Sequence, residues 1–193
     1  MIRKKPRVGV DVDGVLADIL EPCFKVASEM MGSEITMDHM VAWDLDHLLP
    51  PDRIEEFWLR IGEPGLCRGL KPYPGAVEGL AALQEVADVY IVTAYLHDAV
   101  QWVHERDKWI QEHFGIPSKK MVHTKAKYTF SGKALIDDKP QNIQEWGDEH
   151  YTGIPILWSM PYNEKAEFTA SLDYKVVRTN SWENIVRVIE SLV

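Results

Sequence analysis

The sequence has little cysteine, no long apolar run and no surplus of positive charge. Its two cysteines, Cys23 and Cys67, lack metal-ligand spacing, so we expect free thiols in a reducing, cytoplasmic compartment rather than a disulfide framework. No apolar stretch approaches the about 20 residues that cross a bilayer, which predicts no membrane partner. The net charge of −9 argues against binding of polymeric nucleic acid, because such binding needs a broad basic surface.

The basic start of the chain, MIRKKPR, is followed by neither an apolar segment nor a cleavage site, so no signal peptide is expected. We interpret these charges as a solvated lead-in to the first strand. With 193 residues, 46% of them hydrophobic, the chain is long enough for one compact domain with a sizeable insertion.

Short apolar runs rich in Val and Ile alternate with helical patterns along most of the chain. Such runs are typical of strands covered on both faces in a parallel sheet. Gly115 is expected to end one helix, Pro74 to begin another and Ser181 to cap the last. The predicted strands are residues 7–11, 88–93, 121–123, 134–137, 155–158 and 174–177. This alternation predicts an α/β fold with a Rossmann-like doubly wound parallel sheet.

One region interrupts the alternation, because residues 18–71 show helical patterns and no clear strand. We therefore expect a small helical cap, inserted after the first strand and lying above its C-terminal end. The segment KPYPGA marks the return to the main domain. The predicted domains are an α/β core of residues 1–17 and 72–193 and a cap of residues 18–71.

The stretch VGVDVDGVLAD places two aspartates directly after the first apolar run. Asp11 and Asp13 face the same side of an extended chain, and Gly14 allows a sharp turn after them. Ligands of open α/β sheets bind at the C-terminal ends of strands, where paired carboxylates are costly without a cation. Mg²⁺ suits such oxygen ligands, whereas the spacing does not fit an EF-hand calcium loop. Taken alone, the pair is also compatible with a turn cap and a helix cap.

Three further signals follow at the ends of later apolar runs. Thr93 ends the second run, Lys125 and Lys127 lie in a later loop, and Asp137 and Asp138 end the segment LIDD. Each has an ordinary structural interpretation as a strand end, a solvated charge or a helix cap. Their occurrence together, in this order, indicates a catalytic site.

This order of motifs resembles that of phosphatases of the haloacid dehalogenase (HAD) superfamily. The segments DVDGVLAD, PYPGAVEGL and KAKYTFSGKALIDDKP resemble the 5′(3′)-deoxyribonucleotidases within it. The similarity extends from about residue 7 to residue 140, and beyond that only the strand–helix pattern agrees. The resemblance implies a HAD-like fold and a Mg²⁺-dependent phosphomonoesterase that acts on a nucleoside monophosphate through an aspartyl-phosphate.

The resemblance and the chemistry of the side chains assign the same roles. Asp11 is expected to be the nucleophile, and Asp13, initially protonated, the general acid and then the general base. Thr93 and the amide of Ala94 would donate to a phosphoryl oxygen. Lys127 would neutralise phosphate charge and restrain Asp11.

The resemblance also implies a metal site. Mg²⁺ would be held by the Asp11 carboxylate, the Asp13 backbone carbonyl and Asp138, while Asp137 would hold a metal-bound water or Lys127. Lys127 is preferred to Lys125 because relatives place the lysine about ten residues before the paired aspartates. Since distant charges are screened beyond roughly 8 Å, Mg²⁺ and Lys127 would neutralise the local carboxylates despite the negative net charge.

The cap is expected to supply an aromatic ring for base stacking. Trp43 is the main candidate and Trp58 a further one, whereas Phe24 and Phe57 are interpreted as the core of the cap itself. Asp18 is interpreted as a helix cap or a hinge. Two positions depart from the relatives: Ile19 replaces a common aromatic residue, and Ala94-Tyr95 replaces Ser-Pro. Phosphate chemistry is compatible with both changes, but base and sugar selectivity are less securely implied.

Three other functions remain as alternatives. The first is a HAD phosphatase of another small phosphomonoester, such as a sugar phosphate. The second is a non-catalytic phospho-aspartate receiver, although receivers carry the acidic pair and the phosphorylated aspartate in a different order. A D-x-D glycosyltransferase explains neither Thr93 nor the lysine. A homodimer is left open.

Overall fold

A computed structural model describes residues 5–173 and 175–192 of the chain. Over these residues strands and helices alternate with two exceptions: three helices follow the first strand, and only a 3₁₀ turn separates the third strand from the fourth. The elements are β1 (Arg7–Val10), α1 (Leu20–Met31), α2 (Ile54–Ile61), α3 (Ala76–Val86), β2 (Asp88–Thr93), α4 (Trp102–Phe114), β3 (Met121–His123), β4 (Ala134–Asp137), α5 (Pro140–Glu149), β5 (Ile154–Trp158), α6 (Ala170–Asp173), β6 (Val177–Thr179) and α7 (Trp182–Glu190). None of these helices is both long and apolar enough to cross a bilayer.

The strands form one six-stranded parallel sheet in the order β3-β2-β1-β4-β5-β6. The chain builds one half of the sheet outward from β1, then crosses back and builds the other half outward from β4. In doubly wound sheets, ligands bind at the C-terminal ends of the strands where the order reverses. The predicted α/β doubly wound fold is confirmed, and it locates the expected ligand crevice at β1 and β4.

The apolar runs predicted most strands closely. β2, β3 and β4 have the predicted bounds, β1 ends one residue earlier and β5 begins one residue earlier. The prediction for the last strand was wrong: it is Val177–Thr179, not residues 174–177. The amides of residues 175 and 176 still bond to the Leu172 carbonyl of α6, so the chain becomes extended only afterwards. Residue 174 lies outside the described residues.

The predicted helix ends agree in two cases and differ in one. Gly115 ends α4 with a φ of 65°, the left-handed conformation that glycine adopts readily. The Ser181 hydroxyl accepts a hydrogen bond from the Asn184 amide at the start of α7. Pro74 lies outside its helix, because α3 begins at Ala76 after Gly75, whose φ is 78°.

The described buried apolar residues form three clusters: a large one on the sheet, a second one above its C-terminal edge, and a small one of Val92, Phe130, Leu135 and Trp146. We call the first the core cluster; Val8, Val10, Ile136 and Trp109 belong to it. We call the second the lid cluster; it unites residues of α1 and α2, such as Cys23 and Phe57, with Ala99 and Trp102 from the segment after β2. Residues 18–71, hereafter the lid, contain α1, α2 and three short 3₁₀ turns.

The two ends of the lid lie side by side. Ala17 forms an antiparallel bridge with Pro72, and the Asp18 amide donates to the Lys71 carbonyl over 2.9 Å. The chain therefore leaves and rejoins the sheet through one narrow pair of segments. That the lid is a separate domain stays a prediction.

Candidate active site

The chemical groups predicted from the sequence follow three neighbouring strands at one edge of the sheet. Asp11 directly follows β1, Thr93 ends β2, and Asp137 ends β4 with Asp138 next to it. The Asp11 amide still donates to the Ile136 carbonyl over 2.9 Å, which ties the start of the site to β4. Parallel pairing in this order therefore brings together residues that are more than 120 positions apart.

Three of the aspartates form a compact buried cluster. Asp11, Asp137 and Asp138 each offer a carboxylate oxygen, and these oxygens lie within 4.8 Å of one another. Burial raises the pKa of Asp11 to about 7, opposed by the charge of Lys127 and assisted by those of Asp137 and Asp13. Burial, with Asp137 and Asp11 beside it, also raises the pKa of Asp138 well above its ordinary value. Such a cluster favours a bound cation.

Lys127 supplies one positive charge inside this cluster. It lies in the 3₁₀ turn Lys127–Thr129 and is buried, with its Nζ atom 2.7 Å from Asp11 Oδ2 and 2.7 Å from Asp137 Oδ2. Burial disfavours its charge, but attraction to the two aspartates outweighs this and keeps the pKa of Lys127 above its ordinary value. Lys125 is exposed, with its ammonium group near the Tyr95 ring. Of the two lysines, Lys127 is the one that reaches the aspartates.

The two adjacent aspartates after β4 differ in their partners. Asp137 accepts hydrogen bonds from Lys127, from the amide of Lys139 and from the side chain of Asn142, so both its oxygens are occupied. Asp138 Oδ2 accepts from the Tyr162 hydroxyl over 2.5 Å, but its Oδ1 is buried and has no partner. An unpartnered buried carboxylate oxygen beside Asp11 fits a hard divalent cation.

The turn after β1 allows this close approach. Gly14 has a φ of 80°, and a Cβ atom at that position would lie 2.3 Å from Asp138 Oδ2 and 2.9 Å from the Tyr162 hydroxyl. Any side chain here would therefore collide with the aspartate and adopt a strained backbone. The sequence suggested only that Gly14 allows a sharp turn. The structure adds a steric reason, because no side chain fits between this position and Asp138.

Asp13 contacts a second buried cationic side chain, that of Arg106. Both of its carboxylate oxygens contact Nη2 of Arg106 in α4, at 2.6 and 2.8 Å. Burial opposes the charge of Arg106, but the nearby Asp13, Cys67 and Asp11 together keep the pKa of Arg106 above its ordinary value. That neighbouring carboxylates keep Asp13 protonated stays a prediction.

Thr93 lies behind the cavity wall rather than on it. The residue is fully buried, and its hydroxyl donates to the carbonyl of the next residue, Ala94, over 3.2 Å. Ala94 itself lines the cavity described below. A phosphoryl oxygen would therefore meet Ala94 first and would reach the Thr93 hydroxyl only after that hydroxyl rotates.

A cavity of about 360 Å³ opens above the carboxylates, between the lid and the sheet. Trp43 of the lid is 40% exposed, and the Lys139 ammonium lies 3.9 Å from the centroid of its ring. The aromatic side chains that line the cavity are Trp43, Trp58, Tyr95, Trp102 and Tyr162. Two members of the aspartate cluster, Asp11 and Asp138, therefore line the same cavity as these aromatic side chains.

The other candidate residues of the lid make contacts within the lid itself. Phe57 is fully buried in the lid cluster, and Phe24 packs against that cluster. Trp58 donates to Asp46 Oδ1 over 2.8 Å. Asp18 Oδ1 accepts a hydrogen bond from the Glu21 amide over 3.1 Å and so caps the start of α1. This agrees with the interpretation of Asp18 as a helix cap.

Four residues of the site were not singled out in the sequence. Arg106 interrupts the buried stripe of α4 that contains Trp102, Trp109 and Ile110, and a charge on such a stripe was a readable signal. Lys139 and Asn142 follow the second acidic pair closely enough to be suspected. Tyr162 lies beyond β5 in a turn, and no local pattern marks it.

The fold and the acidic cluster define a hydrolase of the HAD type. A conserved haloacid dehalogenase-like protein of unknown function from Agrobacterium tumefaciens has the same fold, with a TM-score of 0.62 and 12% identity over 96% of this chain and 98% of that chain. The sequence model of the family described as 5′ nucleotidase, deoxy (Pyrimidine), cytosolic type C protein matches residues 5–193. The chain belongs to this family and is a hydrolase of phosphoric monoesters.

Two relatives illustrate the relationship. The chain is 24% identical to a 5′(3′)-deoxyribonucleotidase of Clostridium acetobutylicum, over 97% of each chain. It is 30% identical to a mitochondrial 5′(3′)-deoxyribonucleotidase of Mus musculus, over 69% of this chain and 64% of that relative. The resemblance noted in the aspartate motifs is thus confirmed over nearly the whole chain, including the region beyond residue 140.

Proposed function

We propose that this chain is a Mg²⁺-dependent nucleotidase that removes phosphate from nucleoside monophosphates, in the manner of a 5′(3′)-deoxyribonucleotidase. The reaction uses Asp11 as nucleophile and Asp13 as acid and base. Support comes chiefly from one observation: buried Lys127 bridges Asp11 and Asp137 beside the unpartnered Asp138 Oδ1, at the floor of a cavity with aromatic walls. A structural ion-pair network has no reason to leave that oxygen bare.

In the first half of the reaction, an Asp11 carboxylate oxygen bonds to phosphorus while the bond from phosphorus to the ester oxygen breaks. Asp13 gives its proton to the departing alkoxide. In the second half, a water oxygen bonds to phosphorus, Asp13 accepts the water proton, and the bond from Asp11 to phosphorus breaks. Lys127 restrains Asp11 and faces the negative charge of the phosphoryl group throughout.

The metal ligands proposed are the Asp11 carboxylate, the Asp13 backbone carbonyl and Asp138. Bound Mg²⁺ would neutralise charge on the phosphoryl oxygens. Asp137, whose oxygens are already occupied by Lys127, Lys139 and Asn142, acts by holding Lys127 and orienting the loop. Thr93 and the Ala94 amide are proposed as donors to a phosphoryl oxygen.

The lid, residues 18–71, is proposed as a cap domain over a core of residues 1–17 and 72–193. It would present Trp43 to the nucleobase, and stacking of a base on such a ring contributes about 1–3 kcal/mol. Trp43 now faces Lys139, so a stacked base would displace or share that contact. A small sugar phosphate has no planar base to stack on this ring.

The test is phosphate release from a panel of ribo- and deoxyribonucleoside 5′- and 3′-monophosphates and sugar phosphates, each with Mg²⁺ and with EDTA. We expect release from nucleotides with Mg²⁺ only, and none from Asp11→Asn. Asp88→Asn is the matched control, because Asp88 begins β2 at the opposite end of the sheet, where it pairs with Lys120. That variant should retain full activity.

Two results would contradict the proposal. One is absence of metal-dependent release from every substrate by the wild-type protein. The other is activity of Asp11→Asn equal to that of Asp88→Asn. Faster turnover of a sugar phosphate than of any nucleotide would retain the phosphatase chemistry but reject the substrate class.

A further inference from the structure

Arg106 is a fully buried arginine whose hydrogen bonds all go to one carboxylate. Its Nη2 atom contacts Asp13 Oδ1 at 2.6 Å and Oδ2 at 2.8 Å. Its Nε and Nη1 atoms are buried without partners. The guanidinium carbon lies 5.3 Å from the ring centroid of Trp102 and 5.8 Å from that of Trp109. The aromatic rings hold the guanidinium group in place and leave Asp13 as its one polar contact among the described residues.

This arrangement is a poor way to stabilise a fold. Burying a guanidinium group is costly, and the cost is best offset when every N–H group has an acceptor. Here a single nitrogen is used, and the partner side chain remains 31% exposed at the cavity. The arginine is therefore directed at a group that faces the substrate space, although its own side chain is 0% exposed.

We propose that Arg106 is a positioning residue that fixes the orientation of the Asp13 carboxylate for proton transfer. The inference depends on the proposed function, in which Asp13 is the acid and base. Arg106 does not line the cavity and touches no substrate, so it acts only through Asp13.

The proposal gives Arg106 a defined part in each half of the reaction. When Asp13 gives its proton to the leaving oxygen, a carboxylate is formed, and Nη2 holds it in the observed position. From that position the carboxylate accepts the proton of the attacking water and becomes protonated again. The guanidinium group keeps its charge and its protons throughout.

Trp102 and Trp109 explain how this position is maintained. Trp102 belongs to the lid cluster, whereas Trp109 belongs to the core cluster and donates to the Leu70 carbonyl over 2.7 Å. Arg106 thus lies where the two clusters meet. The orientation of the acid–base is set by packing between lid and sheet rather than by contacts within the β1 turn.

The experiment compares two leaving groups. A nucleoside monophosphate releases an alkoxide that must be protonated, whereas p-nitrophenyl phosphate releases nitrophenolate, which leaves without a proton. For Arg106→Met we expect kcat/KM for the nucleotide to fall by about 10²-fold, the range of general acid catalysis. We expect a much smaller fall in the initial burst of nitrophenolate, followed by slow turnover because the second half still needs Asp13 as base.

Two further variants make the result specific. Arg106→Lys keeps the charge but loses the planar group that packs against Trp102 and Trp109, so its ratio of aryl to alkyl activity should lie between those of wild type and Arg106→Met. Ile110→Ala is the control, because Ile110 is buried on the same helix in the core cluster without touching the site. It should lower the melting temperature and leave the ratio unchanged.

The proposal is overturned if Arg106→Met reduces both substrates equally without a burst, or changes neither. Where Arg106→Met does not fold, Arg106→Lys decides: a raised ratio supports the proposal and a wild-type ratio overturns it. Failure of the proposed function is distinct, since it requires that wild type be inactive or that Asp11→Asn be active.

Discussion

At the scale of single residues, the two aspartates after β1 each contact a different cationic side chain. Asp11 contacts Lys127 over 2.7 Å, and Asp13 contacts Arg106 over 2.6 Å. Identical side chains two positions apart thereby acquire different surroundings: Asp11 lies among other carboxylates, whereas Asp13 contacts an arginine that packs against two tryptophan rings. This separation supports different chemical roles for the pair.

Replacing Lys127 by methionine should harm both activity and stability. Without the ammonium group, Asp11 and Asp137 face each other buried and unpaired, which costs about 3–5 kcal/mol of unfolding free energy in the absence of metal. Loss of a charged contact at the phosphoryl site should lower kcat by at least about 10²-fold. Denaturant unfolding and steady-state kinetics measure the two effects.

Lys125→Met is the comparison for that variant, because Lys125 lies two positions earlier in the same loop but is exposed. Its unfolding free energy should equal that of wild type. Equal destabilisation of the two variants would show that the loop, rather than the buried contact, is responsible.

Replacing Tyr162 by phenylalanine should weaken metal binding. The Tyr162 hydroxyl orients Asp138 through a 2.5 Å hydrogen bond, and loss of such supporting contacts typically costs 10–100-fold in metal affinity. Calorimetric titration of the substrate-free protein with Mg²⁺ should show a fall of about 10-fold. Tyr151→Phe at an exposed position is the control, and an affinity for Tyr162→Phe equal to that control would exclude this role.

The contrast between these residues shows what a sequence reveals at this scale. Lys127 and the aspartates could be predicted because parallel strands bring their C-terminal ends to one edge. Tyr162 could not, since its contact with Asp138 depends on the path of a turn that has no characteristic pattern. Arg106 reaches Asp13 across 93 positions, and only its place on a buried helical stripe hinted at a partner.

At the scale of elements, the turn after β1 is the most constrained segment of the site. Gly14 combines a φ of 80° with contact distances that admit no side chain beside Asp138. The strand before it was predicted from its apolar residues, and the turn from its glycine. The steric reason for the glycine became visible only with β4 and the Tyr162 turn in place.

Gly14→Ala should therefore lose activity and stability together. The left-handed backbone alone costs roughly 1–2 kcal/mol for alanine, and displacement of Asp138 adds to it. Gly115→Ala is the matched control, because Gly115 has a φ of 65° but open space around its would-be Cβ atom. It should lose only the backbone contribution and keep its kcat, as kinetics and thermal unfolding of both variants will show; equal kcat values would contradict the steric argument.

Strands were predicted better than connections for a physical reason. β2 and β4 lie inside the sheet, so burial selects their apolar runs, whereas β3 is a short, half-buried edge strand that pairs with β2 alone among the described strands. β6 lies at the edge, includes the exposed Arg178, and takes its bounds from pairing with Ile156–Trp158 of β5. An edge strand set by pairing leaves a weaker pattern in the sequence.

At the scale of the whole molecule, the proposed metal site would link stability to metal binding. Asp11, Asp137 and Asp138 are buried at the C-terminal edge of the sheet, and their mutual repulsion opposes folding. A cation bound there stabilises the folded state and not the unfolded chain. The α/β topology could be predicted from the alternation of strands and helices. The coupling between metal binding and stability could not, because it depends on how deeply the three aspartates are buried in the folded protein.

Mg²⁺ should raise the melting temperature of the wild-type protein relative to EDTA. At a concentration 100 times the Kd the stabilisation amounts to about 2.7 kcal/mol. Asp138→Asn should be more stable than wild type in EDTA, because a buried charge is removed, yet should lose the Mg²⁺-dependent shift. Differential scanning calorimetry of the two proteins checks this, and an equal shift in both would place the ion elsewhere.

The adjacency of Ala17 and Pro72 has a practical consequence for protein engineering. Since the Asp18 amide and the Lys71 carbonyl are 2.9 Å apart, the whole lid could be excised and its ends joined by a short hairpin turn without moving a strand. By the same geometry, a foreign cover could be grafted onto the catalytic floor to change the molecules it accepts, provided that the new cover also packs against Trp102 and so keeps Arg106 on Asp13.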